Sequence, residues 1–112
     1  MSQRSIFETQ AELFKCMSSP IRIEIIQILR DGPQRVSEIA RITSHPQAII
    51  SRNLGVLRNG GVVTARRRYR DVIYEIANPK IVEICDLMRE VLAAEASRYS
   101  KLLKGYKHEH SG

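Results

Sequence analysis

The sequence predicts an α+β domain, mostly α: a winged helix-turn-helix with a two-stranded β-hairpin wing, dimerising through its N- and C-terminal helices. Three observations lead there. Within residues 44–76, Ile50, Leu54 and Leu57 recur at i, i+4, i+7, which marks the buried face of a helix. Asn59, Gly60 and Gly61 then end that helix, because glycine accepts the left-handed backbone on which helices close. Two β-branched runs follow, Val62-Val63-Thr64 and Val72-Ile73-Tyr74-Glu75-Ile76. Between them stand Arg66, Arg67, Arg68, Tyr69, Arg70 and Asp71, so the pair reads as a hairpin with a charged tip.

The remaining elements follow in order. Residues 6–17 carry Ile6, Phe7, Leu13, Phe14 and Met17 among polar residues, an amphipathic helix with a wide apolar stripe. Ser18-Ser19-Pro20 supplies a capping hydroxyl and then a proline at the first helical position, where a missing N–H costs nothing. The second helix runs through Ile21, Ile23, Ile25, Ile26, Ile28 and Leu29 to a turn at Asp31-Gly32-Pro33, and its apolar density predicts the centre of the core. A shorter helix over 36–42 presents Val36, Ile39, Ala40 and Ile42 inward, and a tight connection over 43–46 leads into the fourth. Third and fourth form the helix-turn-helix. After the hairpin, Asn78-Pro79 restarts a helix that is apolar at Ile81, Ile84, Cys85, Met88, Val91 and Leu92 and is expected to reach Leu103. Residues 1–112 are thus expected to form one domain, with an ordered core over 5–104 and a flexible tail over 105–112.

A small core cannot absorb the apolar stripes of the first and last helices. Phe7, Leu13, Phe14 and Met17 on the first, and Ile84, Met88, Val91 and Leu92 on the last, are therefore expected to pack against a second copy of the chain.

At 112 residues and 43% hydrophobic content, the chain has room for one modest core and not for a second. The net charge of +6 points to a polyanionic partner, and its position decides between a membrane surface and nucleic acid. From 44 to 74 the charged residues are Arg52, Arg58, Arg66, Arg67, Arg68 and Arg70, with a single acid, Asp71. A clustered excess of this kind favours nucleic acid. There is no apolar run of about 18 or more residues and no charged-then-apolar leader, so neither a membrane span nor a signal peptide is expected, and the location is expected to be cytoplasmic. Two cysteines far apart are too few for a disulfide framework, which fits a reducing compartment.

Gln47, Ala48, Ser51 and Arg52 fall on the face of the fourth helix opposite its buried stripe, small and polar enough for a major groove. Gln47, Ser51 and Arg52 lie near the N-terminal half, the end that recognition helices present to base edges. Arginine suits guanine and glutamine adenine. Asn53 and Arg58 lie toward the flank and are expected at phosphates. Arg66, Arg67, Arg68 and Arg70 are expected to track a backbone or enter a minor groove, adding salt-dependent affinity more than sequence choice. A charge run is commonly just a solvated hairpin surface; here the preceding helix and the hairpin support each other as one DNA-binding unit.

Four segments carry a resemblance in order along the chain. They are Phe14-Lys15-Cys16-Met17-Ser18-Ser19-Pro20-Ile21-Arg22-Ile23; Val36-Ser37-Glu38-Ile39-Ala40; Ile50-Ser51-Arg52-Asn53-Leu54-Gly55-Val56-Leu57-Arg58-Asn59-Gly60-Gly61-Val62-Val63; and Arg66-Arg67-Arg68 through Ile73-Tyr74-Glu75-Ile76. Spanning about 12–92, the set resembles the ArsR/SmtB type of small winged-helix transcriptional regulators. Each piece alone is weak, and the ordered series is specific. The resemblance implies a homodimer joined through first and last helices. It also implies an imperfectly palindromic double-stranded operator, and repression until a signal releases it.

Two departures bear on that signal. The third helix near Val36-Ser37-Glu38 lacks the family's Cys-x-Cys-like pair, and the stretch 78–94 offers Asn78 and Lys80 but no histidine. Neither of the family's metal sites is expected, nor is a cofactor, and no residue pattern identifies an inducer. Pro46 stands where many relatives have a helix-capping serine, so Ser44 with Gln47 is expected to form the capping box.

Cys16 and Cys85 lie on helices expected to pack in the dimer. A thiol pair sensing oxidant, sulfide or a soft metalloid is one reading, and it requires disulfide reach. Small hydrophobes at apolar positions is the other, and it weighs more. His108, Glu109 and His110 read as a solvated tail rather than a metal cluster. His45, in the turn before the fourth helix, is either a phosphate contact or without a role. No Ser/His/Asp set, glycine-rich phosphate loop or carboxylate pair supports catalysis. The alternative of another class is a winged-helix protein-interaction module whose arginines answer an acidic partner.

Overall fold

The computed structural model describes residues 4–110, with side chains described over 4–102. Eight elements follow in order: α1 (Ile6–Met17), α2 (Pro20–Leu29), β1 (Gln34–Arg35), α3 (Val36–Thr43), α4 (Gln47–Asn59), β2 (Val63–Arg68), β3 (Asp71–Ile76) and α5 (Lys80–His110). They fall into two compact units, Met1–Val82 and Glu83–Gly112.

In the first unit the helix starts obey simple capping chemistry. Ser5 accepts from the Glu8 N–H at 3.1 Å and opens α1; Ser19 accepts from the Arg22 N–H and Pro20 sits at the first position of α2. The core gathers where the apolar density of α2 predicts it. Ile25, Ile26 and Leu29 are buried with Ile39 and Ala40 of α3, Ile50, Leu54 and Leu57 of α4, and Val62 and Val63 leading into the sheet.

The end of α4 is a complete Schellman motif. Gly61 takes φ +77° and donates to the Arg58 carbonyl, while Val62 donates to the Leu57 carbonyl. Leu57 and Val62, the two residues this closure brings together, are both fully buried. Gly60 has a separate reason to lack a side chain: a methyl there would stand 2.5 Å from Cys16 Sγ on α1. Gly60→Ala is expected to cost about 1–3 kcal/mol through overpacking, read as a lower denaturant midpoint. Adding Cys16→Ala should restore most of it; an unchanged midpoint in Gly60→Ala alone would show that the contact is loose.

Three expectations about the elements need correcting. Ile42 points out, 46% exposed, because Val36, Ile39, Ala40 and Thr43 occupy the i, i+3, i+4, i+7 stripe. Thr43 is half-buried and its hydroxyl donates to the Ile39 carbonyl at 2.8 Å. The Ser44 and Gln47 capping box does not form: Ser44, at φ +58°, is the left-handed C-cap of α3, and Pro46 takes the N-cap of α4 without a side-chain hydrogen bond. A capping serine needs extended backbone, which Ser44 does not have. The expected two-stranded hairpin forms from β2 and β3, and a third strand not foreseen from the sequence joins its sheet, in the order β1-β3-β2 and antiparallel throughout, with Gln34 opposite Tyr74 and Arg35 opposite Ile73. Two residues are too few to show alternation, so β1 exists through its pairing with β3. Finally, α5 is expected to end at Leu103 and instead runs on to His110. One glycine inside a helix costs only about 1 kcal/mol, and Gly105 does not stop this one. Residues 111–112 lie outside the described residues, as do the side chains of His108, Glu109 and His110.

The hairpin register pairs Val63 with Ile76, Arg66 with Ile73 and Arg68 with Asp71. Arg66, Arg67 and Arg68 therefore belong to β2, and the turn is only Tyr69-Arg70, with Tyr69 at φ +58°. In α5, Leu87, Met88, Val91, Leu92, Tyr99 and Leu102 are exposed. Among the described residues no helix is long and apolar enough to cross a membrane.

Candidate nucleic-acid interface

The left-handed Ser44 and the extended Pro46 turn the chain between α3 and α4 within three residues. The His45 imidazole, 3.8 Å from the Glu24 carboxylate, lies beside α2, so it faces an acid of its own chain. The first turn of α4 carries no acidic residue and no side-chain cap. The Gln47 and Ala48 N–H groups and the positive end of the helix dipole thus stay open to an anion.

Burial along α4 separates two faces. Ile50, Asn53, Leu54 and Leu57 point inward; Gln47, Ala48, Ser51, Arg52 and Arg58 are exposed. The side chains of Gln47, Ser51, Arg52 and Arg58 make no hydrogen bond or ion pair among the described residues, which leaves their polar groups available to a partner.

Asn53 is a correction. Expected at a phosphate, it is 8% exposed and committed to the interior. Arg22 Nη1 donates to Asn53 Oδ1 at 3.0 Å, Asn53 Nδ2 donates to the Ile49 carbonyl at 2.8 Å, and Arg22 Nε donates to the Cys16 carbonyl at 2.6 Å. One guanidinium thus ties the end of α1 and the start of α2 to the middle of α4. The register contained the signal: residues 50, 53, 54 and 57 make one i, i+3, i+4, i+7 stripe.

The wing arginines divide by their partners. Arg66 Nε lies 3.9 Å from Glu75 Oε1, a weak exposed pair. Arg67, Arg68 and Arg70 are exposed and have no ion-pair partner among the described residues. Alternation from buried Val63 places Arg67 on the inner face of β2 near its end, and Arg66 and Arg68 on the outer face.

Of the expected dimer contacts, Phe7, Phe14, Met88, Val91 and Leu92 are exposed, and Leu13 and Ile84 are half-buried. Met17 is a correction: at 6% exposure it belongs to the protomer's own core, as the last residue of α1 turned inward.

Neither cysteine is in a disulfide; Cys16 is half-buried and Cys85 buried. Cys16 Sγ donates to the Val56 carbonyl at 3.6 Å; burial pushes its thiol above the ordinary value, against a smaller opposing pull from Arg22. A raised value keeps the thiol protonated and poorly nucleophilic at neutral pH, which favours packing over sensing for Cys16. In Cys85→Ser, Cys16 should react slowly with a thiol reagent at pH 7 and speed up only as pH passes the ordinary thiol range. Rapid labelling at pH 7 would contradict this. Among the described residues no group of three or more His, Cys, Asp or Glu side chains is gathered to hold a metal.

Comparison with known proteins bears on the same region. The family model described as bacterial regulatory protein, arsR family, matches residues 19–65, from the cap of α2 into β2. The HTH-type transcriptional regulator Rv0081 of Mycobacterium tuberculosis is 37% identical over 94 residues, 83% of this chain and 82% of that one. Its crystal structure superposes with a TM-score of 0.78 at 35% identity, covering 88% of this chain and 99% of that one. The solution structure of the homodimeric winged helix-turn-helix DNA-binding domain Mb0332 from Mycobacterium bovis gives a TM-score of 0.75 at 26% identity, over 88% and 95%. The HTH-type transcriptional repressor SmtB of Mycobacterium tuberculosis is 33% identical over 72% of this chain and 60% of its own length.

Proposed function

Because the chain belongs to the ArsR family of bacterial regulatory proteins, we propose that it acts as a homodimeric repressor reading an imperfectly palindromic operator with two copies of α4. The observation that carries the reading is the outward face of α4. Gln47, Ala48, Ser51 and Arg52 stand exposed beside an uncapped helix start, with Arg67, Arg68 and Arg70 in the same chain unpaired for phosphate. Gln47 and Arg52 supply the base-edge chemistry, and Arg58 and the wing supply backbone contacts.

Dimerisation is supported by exposed Phe7 and Phe14 on α1 and by Met88, Val91 and Leu92 on α5, apolar surface that a second copy would cover. The similar Mb0332 domain is homodimeric, and the similar SmtB is a repressor. DNA as the partner places the protein in the cytoplasm. The reading uses no metal, since Val36-Ser37-Glu38 holds no thiol and 78–94 no histidine.

Salt dependence tests the reading against the protein-interaction module. If Arg67, Arg68 and Arg70 of both protomers each meet a phosphate, log K should fall with log salt with a slope of about −5 or steeper. Affinity would then drop roughly a thousandfold between 50 and 200 mM salt. Failure to bind duplex DNA, alongside capture of an acidic protein through the wing, would support the module instead.

A further inference from the structure

The third strand of the wing creates a notch that the surfaces above do not include. A concavity of about 360 Å³ opens between β1 and the hairpin turn, lined by Pro33, Gln34, Arg35, Arg68, Tyr69 and Asp71. Pairing puts Arg35, Ile73 and Arg66 in one row and Arg68 opposite Asp71, so Arg35, Arg66 and Arg68 share the outer face of the sheet. Arg35 is exposed, its Nη1 3.4 Å from Asp71 Oδ2. An exposed pair of that length is weak, and its guanidinium is free to exchange one anion for another.

Tyr69 stands at the mouth. It is 91% exposed, and its φ of +58° is a left-handed conformation that an L side chain adopts at a cost. No hydrogen bond from its hydroxyl to any described residue holds it there. Glycine would sit at this turn without strain, so an exposed phenol kept there points to a contact outside the chain.

We infer that this notch grips the backbone of duplex DNA: Arg35 and Arg68 take one phosphate, Tyr69 lies against the adjoining sugar, and Asp71 holds Arg35 until the phosphate replaces it. The inference rests on the DNA-binding reading. Two guanidinium forks converging on a phosphate match its geometry, whereas Asp71 alone satisfies only one of them. The wing would thereby bind on its β1 side as well as through β2.

The test uses the full chain and a random-sequence duplex of about thirty base pairs, with anisotropy measured across salt concentrations. Arg35→Gln should lower affinity and reduce the magnitude of the salt slope by about 0.9 for each Arg35 engaged, hence about 1.8 for a dimer. Arg35→Lys should keep most of the slope, since the charge remains. Asp71→Asn should tighten binding, and much less so in the Arg35→Gln background. Tyr69→Gly should melt at a higher temperature yet bind more weakly, opposite to what a purely structural role requires. If Arg35→Gln melts like the parent and keeps the parental affinity and slope, or Tyr69→Gly binds as tightly as the parent, the notch is overturned while the DNA-binding reading stands. Absence of any duplex binding by the parent chain overturns both.

Discussion

Replacing Arg52 by alanine is expected to weaken operator binding by about 1–3 kcal/mol per half-site, roughly 5- to 150-fold, and to relax base preference at one position in each half-site. The magnitude follows from a guanidinium that is exposed, unpaired within its own chain and placed in the first half of α4. Because it makes no intramolecular bond, its removal should leave the folding stability within about 0.5 kcal/mol of the parent. Binding to random-sequence duplex should change far less than binding to the operator. Equal losses on both DNAs would mean that Arg52 touches phosphate and that the base reader lies elsewhere on the helix.

Replacing Asn53 by leucine acts on the opposite property. It removes the acceptor for Arg22 Nη1 at 3.0 Å and the donor to the Ile49 carbonyl at 2.8 Å. The guanidinium keeps its bond to the Cys16 carbonyl but loses its link to α4. A broken, partly buried bond to a charged group costs about 1–3 kcal/mol, and at this chain length each kcal/mol shifts the melting midpoint by about 4–8 °C. Arg22→Met should cost a similar amount, and the double variant should cost less than the sum, since both lose one interaction. Below its melting transition, Asn53→Leu should bind DNA with the parental salt slope. A reduced slope with parental stability would restore Asn53 to the phosphate contacts and refute the interior network.

Most of the fold was legible because helical register and end chemistry agree along this chain. Ile50, Leu54 and Leu57 share a face, Ser19-Pro20 opens α2, and Gly60-Gly61 closes α4. Where residue type and register disagreed, register was right. Asn53 looks like a surface residue yet completes the buried stripe, and Ile42 looks like a core residue yet falls outside it. Tertiary context explains what remained unread. Two residues cannot display a strand period, so β1, and with it Arg35, became visible only through pairing with β3. Likewise, which wing arginine lies beside an acid depends on hairpin register, which sets Arg66 near Glu75 and leaves Arg68 across from Asp71 at the turn.

The exposed face of α4 was legible to the same extent. Gln47, Ala48, Ser51 and Arg52 are on the open face of α4, as their spacing against the apolar stripe requires. Met17 could not be assigned from pattern alone. A residue at the end of an amphipathic helix serves a protomer core or a subunit interface with the same periodicity, and packing decides between them.

The most direct measurement is recovery of genomic fragments bound by the purified protein, followed by footprinting of the shared sequence. A homodimer reading with two α4 helices should protect a two-fold, imperfectly palindromic site, its half-sites one helical turn or a multiple apart, about 10–10.5 base pairs per turn. Fragments with no common sequence, or protection of a single asymmetric half-site by one protomer, would contradict it.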